Sequence, residues 1–291
     1  MGKQPRDKWL TINGLSFHYR DWEGGGEEII LLHGLASTCH IWDLVAPLLA
    51  QDGHRVVAMD QRGHGASAKP EQGYDFETMS QDLMGLIEGL GMERPLIVGH
   101  SWGADVALEF AAANPEVPKG LCFVDGGMIQ PSARYTSLDQ AREQMAPPIF
   151  SGVTLEAFTQ RVQSRLALTP LSPGAEAAVL ANFEVLRDNT IRAWLSRGNH
   201  LRIIDALWRH HPPELYPQVA CPVLLMPARQ LGNADASERR RRRETSVAQA
   251  GSLLPRGKTV WLEDSIHDVP LQRPELVAGI IREHVTAGYF S

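Results

Sequence analysis

The chain has 291 residues, 43% of them hydrophobic, and its 28 Lys and Arg stand against 34 Asp and Glu for a formal charge of −6. That length and apolar content suit one large folded domain or two smaller ones, and the mild acidity speaks against a nucleic-acid binder, whose footprint is a basic excess. Three widely spaced cysteines, Cys39, Cys122 and Cys221, read as buried thiols in a reducing compartment; with no apolar signal core at the start and no apolar run long enough to span a bilayer, a cytoplasmic protein without membrane partners is expected.

Residues 9–12 and 16–22 flank Asn13-Gly14, a strong hairpin signal. Beyond the turn-rich 23–26 come apolar runs at 29–32, 56–59, 96–98, 121–124, 223–226 and 260–262. They are too short for helices and lack alternation, as do strands buried on both faces of a parallel sheet. Helical patterns at 41–49, 76–90, 104–113, 246–254 and 274–285 alternate with them, which makes the chain α/β. Between 129 and 213 no buried strand appears, and amphipathic helical patterns cover 155–166, 175–186 and 201–210. The chain thus divides into a core domain, 1–128 and 214–291, and a helical cap, 129–213. The cap leaves and rejoins the sheet at the carboxyl ends of its strands, where open α/β sheets bind ligands, so it is expected to act as a lid.

The run at 95–98 feeds into Gly99-His100-Ser101-Trp102-Gly103, and a helical pattern leaves it. This is the context of a nucleophile elbow, a sharp strand-to-helix turn that needs small residues two before and two after its serine. The helix that follows aims its positive end at the place where charge would develop on an attacked carbonyl oxygen. Ser101 needs an imidazole to activate its hydroxyl. Of the five histidines after it, His200, His210 and His211 fall in the insertion and His284 in a helical pattern. His267 alone lies in a loop directly after a buried strand.

These residues resemble the α/β-hydrolase family over essentially the whole chain, in particular its serine esterase and lactonase-like members with a helical lid. The resemblance rests on Leu31-Leu32-His33-Gly34, on Asp60-Gln61-Arg62-Gly63-His64-Gly65-Ala66-Ser67, on the elbow and on Ser265-Ile266-His267-Asp268-Val269-Pro270, in that order at successive strand ends. It implies a mostly parallel eight-stranded sheet flanked by helices and a Ser, acid, His triad in chain order. It also implies an oxyanion hole from the backbone N–H groups of Leu35 and Trp102. Gly34 suits a tight turn there, and an early helical N–H such as that of Trp102 lacks an intrahelical acceptor. His33 reads as a loop anchor, and Asp60, Arg62, Gly63 and Gly65 read as a structural turn. His64 has no assigned role.

Family members usually carry the acid a few residues past the strand at 223–226, but Pro227-Ala228-Arg229-Gln230 holds no carboxylate and Asp235 is the first one available. A second family arrangement places the acid at the end of the preceding strand, where Asp125 stands before Gly126-Gly127. Asp125 is preferred, with Asp235 the alternative.

Met128, Trp194 and Trp208 are candidates to line a substrate pocket, with packing as the competing role. The run from Arg239 to Arg243 reads as a solvated helix face. His210-His211 lacks metal-ligand spacing and no phosphate-binding glycine pattern occurs, so neither a metal nor a cofactor is expected. The expected activity is cleavage of small to medium carboxylic esters or lactones through an acyl-enzyme. The resemblance also admits a carbon-carbon bond hydrolase acting on vinylogous diketones, or a ligand-binding signalling protein with slow turnover. Dehalogenases and epoxide hydrolases of this fold, which use an aspartate at the elbow, are disfavoured by Ser101.

Overall fold

Asn13 and Gly14 both take positive φ, 51° and 77°, the primed turn that matches the right-handed twist of strands. The turn joins β1 (Arg6–Ile12) to β2 (Leu15–Trp22) antiparallel, with Ile12 opposite Leu15. The computed structural model describes residues 4–168, 171–229 and 236–291. The sheet continues through β3 (Glu28–Leu32), β4 (Arg55–Met59), β5 (Leu96–His100), β6 (Gly120–Val124), β7 (Val223–Met226) and β8 (Gly257–Thr259). Its order is β1-β2-β4-β3-β5-β6-β7-β8, antiparallel as far as β4 and parallel from there on.

Alternation along these strands divides the core into two layers. Ile30, Leu32, Ile97, Leu121, Phe123 and Leu225 face one layer, and Ile29, Leu31, Val98, Val124, Leu224 and Met226 the other. Each of these aliphatic and aromatic side chains contributes about 1.5–3 kcal/mol by leaving water. Helix α1 (Ala46–Ala50) packs on the second layer, and α2 (Phe76–Gly89) and α3 (Trp102–Ala113) on the first. Asp75 caps α2 by accepting the N–H of Thr78 at 2.8 Å. The helix expected over 41–49 is instead a 3₁₀ turn, Cys39–Trp42, followed by α1. Pro47 has no N–H to give an α-helix interior and is confined to a first turn.

The segment 129–213 carries α4 (Leu138–Gln144), α5 (Leu155–Leu168), α6 (Ala175–Leu180) and α7 (Arg197–Arg209). The helix expected over 175–186 stops at Leu180, and Phe183–Val185 pairs antiparallel with Ile191–Ala193, so the segment is not wholly helical. Turn chemistry overrides the helical pattern here. Asn189 takes φ 63°, and the Asp188 carboxylate accepts from the Thr190 hydroxyl at 2.6 Å. Phe183 then packs against Phe150 and Phe158, with ring centroids 4.7 and 4.5 Å away. Asn199 fastens the segment to the core by donating to the Tyr74 hydroxyl at 2.6 Å and the Pro70 carbonyl at 3.2 Å.

After α8 (Pro212–Leu215) and β7, α9 (Ala236–Leu253) begins ten residues before the apolar pattern and takes in the arginine run. The apolar run 260–262 is not one strand. The sheet strand β8 ends at Thr259, and Leu262–Glu263 pairs with Ala228–Arg229 in a separate two-stranded ribbon. Val260 still donates to Leu225 and Leu262 to Pro227, so the chain peels off the sheet edge gradually. Helix α10 (Val269–Gln272) packs on the 3₁₀ turn Cys39–Trp42, and α11 (Pro274–Thr286) closes the chain against α1. All three cysteines are free and buried. Among the described residues no helix is long and apolar enough to cross a membrane.

Candidate active site

Ser101 joins β5 to α3 with φ 52° and ψ −126°, a backbone state that costs a non-glycine residue about 1–3 kcal/mol. The turn closes because its flanks carry no side chain. A Cβ on Gly99 would lie 2.4 Å from Ala104 Cα, and one on Gly103 would lie 2.5 Å from the His33 carbonyl oxygen. The Ser101 hydroxyl oxygen stands 3.0 Å from Nε2 of His267, whose Nδ1 is 2.6 Å from Oδ2 of Asp125. A carboxylate only accepts, so Nδ1 carries the proton and Nε2 is left to accept from Ser101.

Asp125 directly follows β6 with φ 47° and is almost wholly buried. Gly126 allows this turn, since a Cβ there would sit 2.1 Å from the Ser101 carbonyl oxygen. Burial acts to raise the Asp125 pKa, but the bond from His267, the charge of Arg243 and the Ala228 N–H together bring it below the ordinary value. For His267, burial lowers the pKa while the hydrogen bond and charge of Asp125, with help from Asp268, raise it by more. The alternative acid, Asp235, lies outside the described residues.

The loop after β3 runs beside the elbow, where a Cβ on Gly34 would come within 3.0 Å of Ser101 Cβ. Among the described residues, no acceptor in the chain takes the N–H of Leu35 or that of Trp102, the first residue of α3. The next residue, Ala36, has φ 57° and donates its N–H to Nε2 of His64 at 3.3 Å. Nδ1 of His64 donates to the Arg62 carbonyl at 2.9 Å. Full burial, reinforced by His33, drives the His64 pKa well down, which keeps the ring neutral and Nε2 an acceptor. His64 also lies 5.5 Å from the Trp102 ring, so one imidazole supports both the β3 loop and the start of α3. His33 braces the same loop. It bonds the Gly34 carbonyl at 2.8 Å and accepts the Gln61 N–H at 3.0 Å.

The model of the alpha/beta hydrolase family matches residues 29–280. The chain belongs to the α/β-hydrolase family. Over 114 residues the chain is 39% identical to the soluble epoxide hydrolase of Corynebacterium sp. (strain C12), a match covering 39% of each protein. It spans still less of the epoxide hydrolases A and B of Mycobacterium tuberculosis, 33% and 26% of their lengths. A longer match, 26% identical over 247 residues, covers 75% of the chain and 86% of the 2-(acetamidomethylene)succinate hydrolase of Mesorhizobium japonicum. A solved E-2-(acetamidomethylene)succinate hydrolase shares the fold with a TM-score of 0.76 at 23% identity, over 97% of this chain and 99% of that one. The enol-lactonase of Burkholderia xenovorans LB400 does so with a TM-score of 0.68 at 19% identity, over 96% and 100%.

Of the remaining candidates, Trp208 packs against the core layer that includes α2 and α3, as does Met128. Trp194 donates its indole N–H to the Ala181 carbonyl at 3.0 Å and has the Lys69 ammonium 4.8 Å from its ring centroid. Among the described residues, two groups of side chains have the make-up of metal ligands, His18 with Cys39 and Asp60, and His100 with His267 and Asp268. In the first, Asp60 is already bonded to His18 at 2.8 Å and to the Cys39 N–H at 2.8 Å, and burial holds the Cys39 thiol protonated. In the second, His267 is engaged with Asp125 and Ser101, and Nε2 of His100 donates to the His267 carbonyl. Both sets read as hydrogen-bond clusters.

The sequence reading missed Arg243, whose guanidinium reaches Oδ1 of Asp125 at 2.5 Å. Arg240 and Arg242 do lie on the solvated face, paired with Glu244 and Glu238. A signal was present. Arg243, Val247, Ala250 and Leu254 are spaced four, three and four apart, and the last three are buried, so Arg243 extends the apolar stripe of α9.

Proposed function

We propose that this protein is a serine hydrolase that cleaves small to medium carboxylic esters or lactones through an acyl-enzyme. The observation that carries the reading is the unbroken line from Ser101 Oγ through His267 to Asp125, at 3.0 and 2.6 Å. The Ser101 oxygen attacks the ester carbonyl carbon while Nε2 of His267 takes its proton. The carbonyl oxygen becomes an oxyanion facing the N–H groups of Leu35 and Trp102. When the intermediate collapses the carbon–alkoxy bond breaks and His267 returns the proton to the leaving oxygen. Water, deprotonated by the same imidazole, then releases the acid and restores Ser101. Asp125 stays ionised and stabilises the imidazolium. In this reading the segment 129–213 is a lid over the carboxyl ends of β5, β6 and β7. The long match to a hydrolase of 2-(acetamidomethylene)succinate supports hydrolytic chemistry on a small molecule. The serine at the elbow separates the chain from epoxide-hydrolase chemistry, which in this fold uses an aspartate there.

A fluorophosphonate probe and a panel of nitrophenyl esters, lactones and vinylogous diketones test the reading together. Labelling at Ser101, with repeated turnover of esters or lactones that Ser101→Ala reduces by on the order of a millionfold, is the expected result. Turnover confined to the diketones would replace ester cleavage by carbon-carbon bond hydrolysis. Stoichiometric, single-turnover cleavage with a large ligand-induced rise in Tm would make the protein a receptor. Wild-type turnover in Ser101→Ala would overturn the mechanism.

A further inference from the structure

The carboxylate of Asp125 is buried with its two oxygens facing opposite ways. Oδ2 meets His267, and Oδ1 accepts the Ala228 N–H at 2.9 Å and Nη1 of Arg243 at 2.5 Å. The same Nη1 donates to the Ala228 carbonyl at 2.8 Å, so guanidinium, carboxylate and the Ala228 backbone form a closed set of bonds. Ala228 is itself fixed by pairing with Leu262. Arg243 is anchored from the other side by its place on the buried stripe of α9, with Val247 and Ala250 one and two turns on. A charge-assisted bond to a buried carboxylate is among the stronger polar contacts in a protein. Here it is made on the oxygen that the base does not use.

We propose that Arg243 is a positioning residue of the catalytic triad, clamping the rear oxygen of Asp125 so that the front oxygen faces His267, and tempering the negative charge that the imidazole feels. The proposal rests on the triad reading above. Asp125 at 2.6 Å favours the imidazolium, which stabilises the charge formed during attack but also makes the base hold its proton more tightly. A cation on the far side of the same carboxylate offsets part of that field. Among the described residues, the charged and titratable groups around His267 are Asp125 at the end of β6, Arg243 from α9, His100 at the end of β5, and Asp268 on its own loop. His100 is neutral, since burial and the neighbouring His267 push its pKa down to about 4. Around Arg243, Glu244 pairs with Arg240 and approaches Arg229, which pairs with Glu263. Among the described residues, Arg243 is thus the cation that contacts Asp125 directly.

Titration of the His267 ring by NMR in the full chain tests this without relying on turnover. Measurement in a Ser101→Ala background separates it from the serine-hydrolase reading, which fails or stands on probe labelling and the substrate panel. In Arg243→Met the His267 titration should move up by about one pH unit, and in Arg243→Lys it should return most of the way. In the Ser101-containing protein, kcat/KM of Arg243→Met should fall about tenfold near pH 6 and recover towards the wild-type value above the shifted pKa. Should Arg243→Met not fold, Arg243→Gln carries the same expectation. An unmoved His267 titration, or a loss of kcat/KM equal at every pH, would reduce Arg243 to a structural contact and overturn the proposal.

Discussion

Nε2 of His100 donates to the backbone carbonyl of His267 at 2.9 Å, and the two rings lie 4.9 Å apart. The residue before the proposed nucleophile therefore holds the main chain of the residue proposed as its base. Its tautomer follows from that bond, because a carbonyl only accepts. Nδ1 of His100 is then a bare acceptor, buried without a partner among the described residues. His100→Phe keeps the ring against Trp42 but removes the donor. Turnover should fall about tenfold at nearly constant KM, since a base misplaced by a fraction of an ångström loses alignment rather than substrate affinity. Steady-state kinetics on the best ester decide it. An unchanged kcat would mean that the Gln272 side chain, which accepts the Ile266 N–H at 2.7 Å, holds the loop by itself.

Asp125→Asn replaces an acceptor-only group by an amide whose N–H₂ cannot accept from Nδ1 of His267, so the imidazole is offered the wrong tautomer. Turnover at saturating substrate should drop about ten-thousandfold. Asp235→Asn should leave it near wild type. Circular dichroism on both variants confirms folding. If Asp235→Asn is the crippled protein and Asp125→Asn nearly normal, the acid follows the commoner family arrangement.

His210 is fully buried between Glu109 at 2.6 Å and Asp105 at 3.2 Å, and Asp105 in turn accepts the N–H groups of Gly127 and Ile129 just beyond Asp125. Burial opposes the charged imidazole, but the two carboxylates outweigh it and raise its pKa to about 9. A folded-state pKa above the unfolded value stabilises the fold fully below about pH 6.5, and that contribution disappears as pH rises through about 9. It is on the order of 2 kcal/mol. Urea midpoints between pH 6 and pH 10 should decline for the wild type and stay flatter for His210→Gln, the two proteins converging at the alkaline end. Parallel curves would show that His210 does not carry the pH dependence.

Local patterns carried much of this fold in the sequence itself. Asn13-Gly14 dictates its hairpin because two adjacent residues must take positive φ. The buried strands show as short apolar runs because both faces of a parallel sheet are covered. The elbow is legible because strand, turn, Ser101 and the two required glycines are contiguous from 96 to 103. Along the chain Asp125 is preferred to Asp235 only through its place at a strand end before Gly126-Gly127, and no local pattern ties either carboxylate to His267. The contact of His267 with Asp125 spans 142 residues and that of Arg243 with Asp125 spans 118, distances over which no periodicity operates. The hairpin within 129–213 and the break at 260–262 escaped for a related reason, since strands of two or three residues exist only through the partner they meet. Which residues could take part was written in their chemistry. Which of them meet was decided by the packing of β6, β7 and α9 into one buried corner, where a carboxylate needs both of its oxygens satisfied.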